Sequence, residues 1–111
     1  RMGRLVRDMV KDVLDAFLNN DVEMARDVWM RDKEVDDMYD SLFRELLTYM
    51  MEDARHITAC THLLFIARNI ERIGDLATNI AELIQYQVEG RALDADRPKA
   101  DLSSITVVDP N

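Results

Sequence analysis

Acidic side chains recur at four-residue spacing in two separate parts of the chain. The first series contains Asp32, Asp36 and Asp40. The second contains Glu71 and Asp75, followed at the same spacing by the amide Asn79, and Glu82 extends it on the same side of the helix. Residues four apart lie on one face of an α-helix, so each series would direct its oxygens the same way on successive turns. Oxygen ligands suit Mg²⁺, Ca²⁺ and Mn²⁺, and clusters of carboxylates also bind iron. The spacing therefore indicates a candidate metal site.

Asp32 is the least ordinary of these acids because it lies beside an apolar stripe. At about 100° per residue it falls about 40° from Val28, between Tyr39 and Ala25. A carboxylate at such a position is costly unless a proton, a cation or a metal balances its charge. Two acidic pairs on adjacent antiparallel helices could converge on one cation.

Two other interpretations use the same acids. Arg68 and Arg72 lie near the second series and could pair with Glu71 or Asp75, which would give a metal-free scaffold bundle. A carboxylate-metal oxidase would carry Glu-x-x-His motifs, and the nearest string is Asp53-Ala-Arg-His56 at a helix start. We therefore predict no catalytic residue.

The elements that position these acids are three helices, at about 3–18, 22–51 and 54–89. Breakers are rare, with three glycines and two prolines, and both prolines fall in the last fourteen residues. Asp21 and Asp53 are placed to cap helix starts, and Gly90 to end the third helix. The pattern predicts an all-α antiparallel three-helix bundle over residues 1–90, followed by an extended or disordered tail at 91–111.

Apolar residues at helical spacing define the faces expected to point inward. In the first helix these are Leu5, Val6, Met9, Val10, Val13, Leu14, Phe17 and Leu18. In the third they are Leu63, Ile66, Ala67, Ile70, Ile73, Gly74, Ala77, Ile80, Ala81, Ile84 and Val88. A glycine within such a stripe indicates a close approach between helices, because glycine costs about 1 kcal/mol relative to alanine in a helix.

Composition excludes several classes of protein. The 111 residues are the size of one domain, and a net charge of −8 argues against nucleic-acid binding. A single cysteine, Cys60, allows neither an internal disulfide nor a multi-thiolate zinc site, which favours the cytoplasm. Apolar runs such as 63–67 are far shorter than the roughly 20 residues that span a bilayer. Because the chain starts with Arg1 and its first helix is short, we expect that it starts inside this helix.

Three segments resemble the PhoU family of phosphate-signalling regulators. They are Arg31–Asp36 (RDKEVD), Tyr49–Asp53 (YMMED) and Ala67–Glu82 (ARNIERIGDLATNIAE). The resemblance covers roughly residues 21–90 in the right order and spacing. Members of this family contain two similar three-helix bundles with metal-holding acidic motifs. The chain resembles the second bundle only, and hence a C-terminal half.

The resemblance implies a ligand set and its surroundings. The implied metal ligands are Asp32, Asp36, Glu71 and Asp75, with Asn79 beside them. Arg68, Arg72, Asp40 and Glu82 would surround the ligands. Arg31 departs from the family pattern, in which many members have an acid. The ion implied is iron, magnesium, manganese, zinc or calcium.

The resemblance also implies a function. Members act as negative regulators of the phosphate-starvation response and link the ATPase subunit of the phosphate transporter to a sensor histidine kinase. They are cytoplasmic, reach the membrane only through partners, and are not enzymes. A half-length chain would expose the surface that packs on its sister bundle, so we expect a homodimer or higher oligomer.

Overall fold

The computed structural model describes residues 1–90. Four α-helices follow one another, α1 (Met2–Asn19), α2 (Val22–Met30), α3 (Asp32–Glu52) and α4 (Ile57–Glu89), with a 3₁₀ turn at Ala54–His56. The described residues contain no strand. The all-α bundle predicted from the sequence is therefore confirmed. The predicted tail, with Pro98 and Pro110, lies outside the described residues.

The helices form three arms around a narrow core, because α2 and α3 together make the middle arm. α1 lies along α4 in the same direction, since Gly3 faces Ile70 and Val6 faces Gly74. The short connection at 53–56 turns α4 back along α3, where Val35 also faces Gly74. A Cβ on Gly74 would lie 3.5 Å from Val6 Cγ2 and 3.6 Å from Val35 Cγ1. The helix contact expected at Gly74 is thus confirmed, and its spacing leaves room for a methyl group.

The middle arm is interrupted at Arg31, whereas the sequence predicts one continuous helix over 22–51. The Arg31 N–H donates to the carbonyls of both Asp27 and Val28, at 3.3 and 3.1 Å. Sharing a donor between the third and fourth preceding carbonyls tightens the backbone into a 3₁₀-like turn. The Arg31 carbonyl then accepts from the Val35 N–H at 3.2 Å, so α3 starts at once.

The helix ends follow the predicted capping residues. The Asp21 side chain accepts from the Met24 N–H at 3.1 Å, and Asp53 accepts from the Arg55 N–H at 2.9 Å. Gly90 ends α4 with a φ of 75°, and Asn20 ends α1 with a φ of 51°. These residue types tolerate the left-handed conformation.

The inward faces are narrower than the apolar stripes. The buried apolar residues of α4 are Cys60, Ala67, Ala77, Ala81 and Ile84. The predicted inward orientation was wrong for seven residues of α1 and α4 that are about half exposed or more, namely Leu14, Phe17, Leu18, Leu63, Ile66, Ile73 and Val88. A three-helix bundle covers only one side of each helix, and α1 and α4 carry apolar residues over more than that side. No helix within residues 1–90 is both long and apolar enough to cross a membrane.

Candidate metal centre

The acids converge where α3 begins against the middle of α4. Asp32 is the first residue of α3, and Asp36 follows one turn later. Asp75 comes directly after Gly74, which packs against Val35 of α3. Asp32 is only 1% exposed, so the burial expected from its place beside the apolar stripe is confirmed.

Three carboxylates share a small volume at this point. One oxygen from each of Asp32, Asp36 and Asp75 lies within 4.8 Å of the other two. Asp36 and Asp75 are half-buried. Like charges this close repel one another, and a cation between them would offset that repulsion. The donor set, three carboxylate oxygens from two helices, fits a hard cation such as Mg²⁺, Mn²⁺ or Ca²⁺.

Glu71 lies one turn before Asp75 and is outside this group of three. It is 8% exposed, and its Oε1 accepts a hydrogen bond of 2.6 Å from Arg68 Nη1. This hydrogen bond and the charge of Glu71 raise the pKa of Arg68 above its ordinary value. The pairing of Arg68 with Glu71 that the sequence suggested is therefore present.

Residues 1–84 match the PhoU domain. The chain belongs to the PhoU family. It is 59% identical over 104 residues to the phosphate-specific transport system accessory protein PhoU homolog of Caulobacter vibrioides. The aligned residues make up 94% of this chain and 45% of that protein. It is 48% identical over 90 residues to the protein PhoU of Escherichia coli, covering 81% of this chain and 37% of that one.

A solved structure shows the same fold. The crystal structure of PhoU from Pseudomonas aeruginosa matches with a TM-score of 0.80 at 47% identity, covering 81% of this chain and 43% of that chain. The present chain thus spans less than half the length of these PhoU relatives.

The other residues that the PhoU resemblance singles out surround the three carboxylates less closely. Asn79, Asp40 and Arg72 are exposed, and Glu82 is half-buried. Their roles, like the ligand role of Glu71, stay predictions.

Sequence reasoning missed a second charged group, at the α2–α3 junction. Arg31 Nη2 lies 2.6 Å from Oδ2 of both Asp12 and Asp27. Burial disfavours the charge of Arg31, but the hydrogen bonds to Asp27 and Asp12, with their charges, outweigh it and raise the pKa of Arg31. The i, i+4 spacing to Asp27 was a visible signal, whereas nothing local to the sequence pairs Arg31 with Asp12 on α1.

Buried polar residues on α4 were missed as well. Thr78 and Gln85 are 0% and 1% exposed. The Thr78 hydroxyl donates to the Asp75 carbonyl at 2.8 Å, and Gln85 Nε2 donates to Glu89 Oε1 at 2.7 Å. Residues seven apart return to nearly the same helix face, so the spacing of Glu71, Thr78 and Gln85 was the available signal.

Proposed function

We propose that this chain is a metal-binding helical regulator that lowers phosphate-starvation signalling and phosphate uptake. It would link the ATPase subunit of a phosphate transporter to a sensor histidine kinase. Membership of the PhoU family supports the phosphate-related role, because the curated relatives carry the name of a phosphate-specific transport system accessory protein. The observation that carries the metal-binding part is the approach of Asp32, Asp36 and Asp75.

Asp32, Asp36 and Asp75 would hold the ion, with Glu71 and Asn79 as the further ligands implied by the family. The ion would supply positive charge where three carboxylates crowd together. Iron, magnesium, manganese, zinc and calcium are the candidates, and the all-oxygen donor set favours a hard ion. Because α3 contributes two of the three carboxylates and α4 the third, a bound ion would tie these helices together.

A matched pair of variants tests metal binding. Asp36→Asn replaces one carboxylate of the cluster with a neutral amide, a weaker cation ligand, whereas Asp37→Asn removes the same charge from the next residue, which is exposed and pairs with Lys33 at 3.1 Å. We expect Mn²⁺ to raise the melting temperature of the wild type and of Asp37→Asn but not of Asp36→Asn. Metal content of the purified proteins, measured by plasma mass spectrometry, should follow the same order.

Two results would refute the metal-binding proposal. One is a wild-type protein that contains none of the five candidate ions and whose melting temperature changes with none of them. The other is an Asp36→Asn variant that binds Mn²⁺ as tightly as Asp37→Asn, since the cluster would then not be the site.

The adaptor role predicts two partners. We expect the chain, crosslinked in cells, to capture the phosphate-transporter ATPase subunit and a sensor histidine kinase. The protein would act in the cytoplasm without enzymatic activity, reaching the membrane through these partners. Capture of neither partner would contradict the adaptor role.

Self-association is part of the same proposal. Exposed apolar residues on the outer sides of α1 and α4 support it, among them Phe17, Leu76 and Leu83, which are 54%, 60% and 60% exposed. Apolar surface of this kind is typical of an interface. Light scattering at high protein concentration should give at least the mass of a dimer, and a monomer would contradict this.

A metal-free scaffold is the second candidate, and the Arg68–Glu71 ion pair favours it. An arginine nitrogen stands 2.6 Å from a carboxylate that the family resemblance assigns to a metal. In this alternative, arginines such as Arg68 balance the charge of the α4 acids, and the bundle acts only as a binding surface.

A further inference from the structure

Arg31 connects α1 to the junction between α2 and α3. Its guanidinium, with 22% of the side chain exposed, contacts Asp12 of α1 and Asp27 of α2 at 2.6 Å each. Asp12 is itself only 26% exposed, whereas Asp27 is 65% exposed. The contact with Asp12 is therefore the more protected of the two, and it joins different arms of the bundle.

The same residue sets the start of α3. The backbone of Arg31 forms the tight turn that ends α2, and its carbonyl accepts the hydrogen bond from Val35 in the first turn of α3. Asp32, whose carboxylate belongs to the acidic cluster, is the next residue along the chain. A shift of the Arg31 backbone would therefore move Asp32 with it.

We propose that Arg31 is a positioning residue that couples the docking of α1 to cation binding by Asp32, Asp36 and Asp75. This inference rests on the metal-binding function proposed above. The ion pair between Arg31 and Asp12 ties the α2–α3 junction to α1. Because Asp32 is the next residue after Arg31, this also fixes the position of Asp32. Because coupling between two sites is reciprocal, a bound cation would in turn hold α1 more firmly in place.

Two acids that share Arg31 provide the matched test. Asp12→Asn replaces the ion pair with α1 by at most a neutral hydrogen bond and so weakens this link, whereas Asp27→Asn removes an equal charge from the same guanidinium but leaves the ion pair with Asp12 intact. We expect calorimetric titration of the full chain with Mn²⁺ to show an affinity about fivefold weaker for Asp12→Asn, at the lower end of typical coupling. Asp27→Asn should stay close to the wild type.

The direction in which Arg31→Met changes the Mn²⁺ affinity separates a positioning role of Arg31 from a simple electrostatic one. Arg31→Met removes a positive charge beside the acidic cluster, which by Coulomb attraction alone would strengthen Mn²⁺ binding. Positioning predicts weaker binding, with partial recovery in Arg31→Lys, whose ammonium can still reach an acid. Tighter Mn²⁺ binding by Arg31→Met would overturn the proposal.

If α1 docking favours cation binding, cation binding must also stabilise the docking of α1, and this can be measured on the wild type alone. We expect Mn²⁺ to slow hydrogen exchange of the α1 amides as well as those of α3 and α4. Protection confined to α3 and α4 would overturn the coupling. So would equal Mn²⁺ affinities of folded Asp12→Asn and Asp27→Asn. A wild type that binds no Mn²⁺ or other candidate ion would instead refute the metal-binding function itself.

Discussion

Arg68 Nη1 lies 2.6 Å from Oε1 of Glu71, three positions later on α4. The two residues differ in exposure, since 52% of the Arg68 side chain but only 10% of the Glu71 side chain is exposed. The pair is therefore a surface cation held over a nearly buried carboxylate. This arrangement makes Glu71 the residue at which the metal-binding and scaffold interpretations differ most.

Arg68→Met should destabilise the metal-free protein, because Glu71 would lose its charged hydrogen-bond donor. With Arg68 half exposed, we expect a loss of about 1 kcal/mol in the free energy of unfolding. Urea denaturation in the presence of EDTA measures it. Arg72→Met, one turn later at an exposed position, is the matched control and should change the stability less.

The same variant tests whether Glu71 is a metal ligand. If Glu71 binds the ion, Arg68 and the ion compete for the Glu71 carboxylate. Arg68→Met should then bind Mn²⁺ more tightly than Arg72→Met does. Equal affinities would remove Glu71 from the ligand set and favour its role as a structural partner of Arg68.

Gly74→Ala should be tolerated and stabilising. A Cβ at this position would lie at ordinary van der Waals distance from Val6 and Val35, at 3.5 Å or more. Alanine also favours the helix by about 1 kcal/mol relative to glycine, so we expect a gain of up to about that amount in thermal or urea unfolding. Gly74→Leu, whose longer side chain would displace both valines, should destabilise the bundle. Loss of stability in Gly74→Ala would mean that the helices cannot accept even a methyl group.

Helix capping and the burial of Asp32 were predictable because they depend on local residue types and periodicity. Asp21, Asp53 and Gly90 act through groups within a few positions of themselves, and Asp32 is buried because it lies beside Val28 and Val35. These relationships can be read from a helical projection without a structure.

The interruption at Arg31 and the exposed parts of the apolar stripes were not predictable in this way. The contact of Arg31 with Asp12 joins residues nineteen positions apart on different helices. Likewise, Ile73 belongs to the apolar stripe of α4 yet is 46% exposed, since burial depends on which neighbours cover each side. Periodicity identifies an apolar face but does not say how much of it another helix covers.

The last prediction concerns Asp53, at the turn between α3 and α4. Hydrogen bonds from the Arg55 side chain and then from its backbone N–H, with a smaller contribution from His56, hold the pKa of Asp53 below its ordinary value. A carboxylate with a lowered folded-state pKa stabilises the fold above the unfolded pKa of about 3.9. This stabilisation is lost as the pH falls through the lower, folded-state pKa.

Asp53→Asn should therefore melt at a lower temperature than the wild type at pH 7, and the difference should close as the solution is acidified below about pH 4. Asparagine can still accept the backbone hydrogen bond, so the pH-dependent part reports the charge rather than the cap. Melting curves between acidic and neutral pH measure it, with Glu52→Gln as a control that removes the same charge from the preceding exposed residue. A difference between Asp53→Asn and wild type that stays constant over this range would show that the Arg55 contact adds no charge-dependent stability.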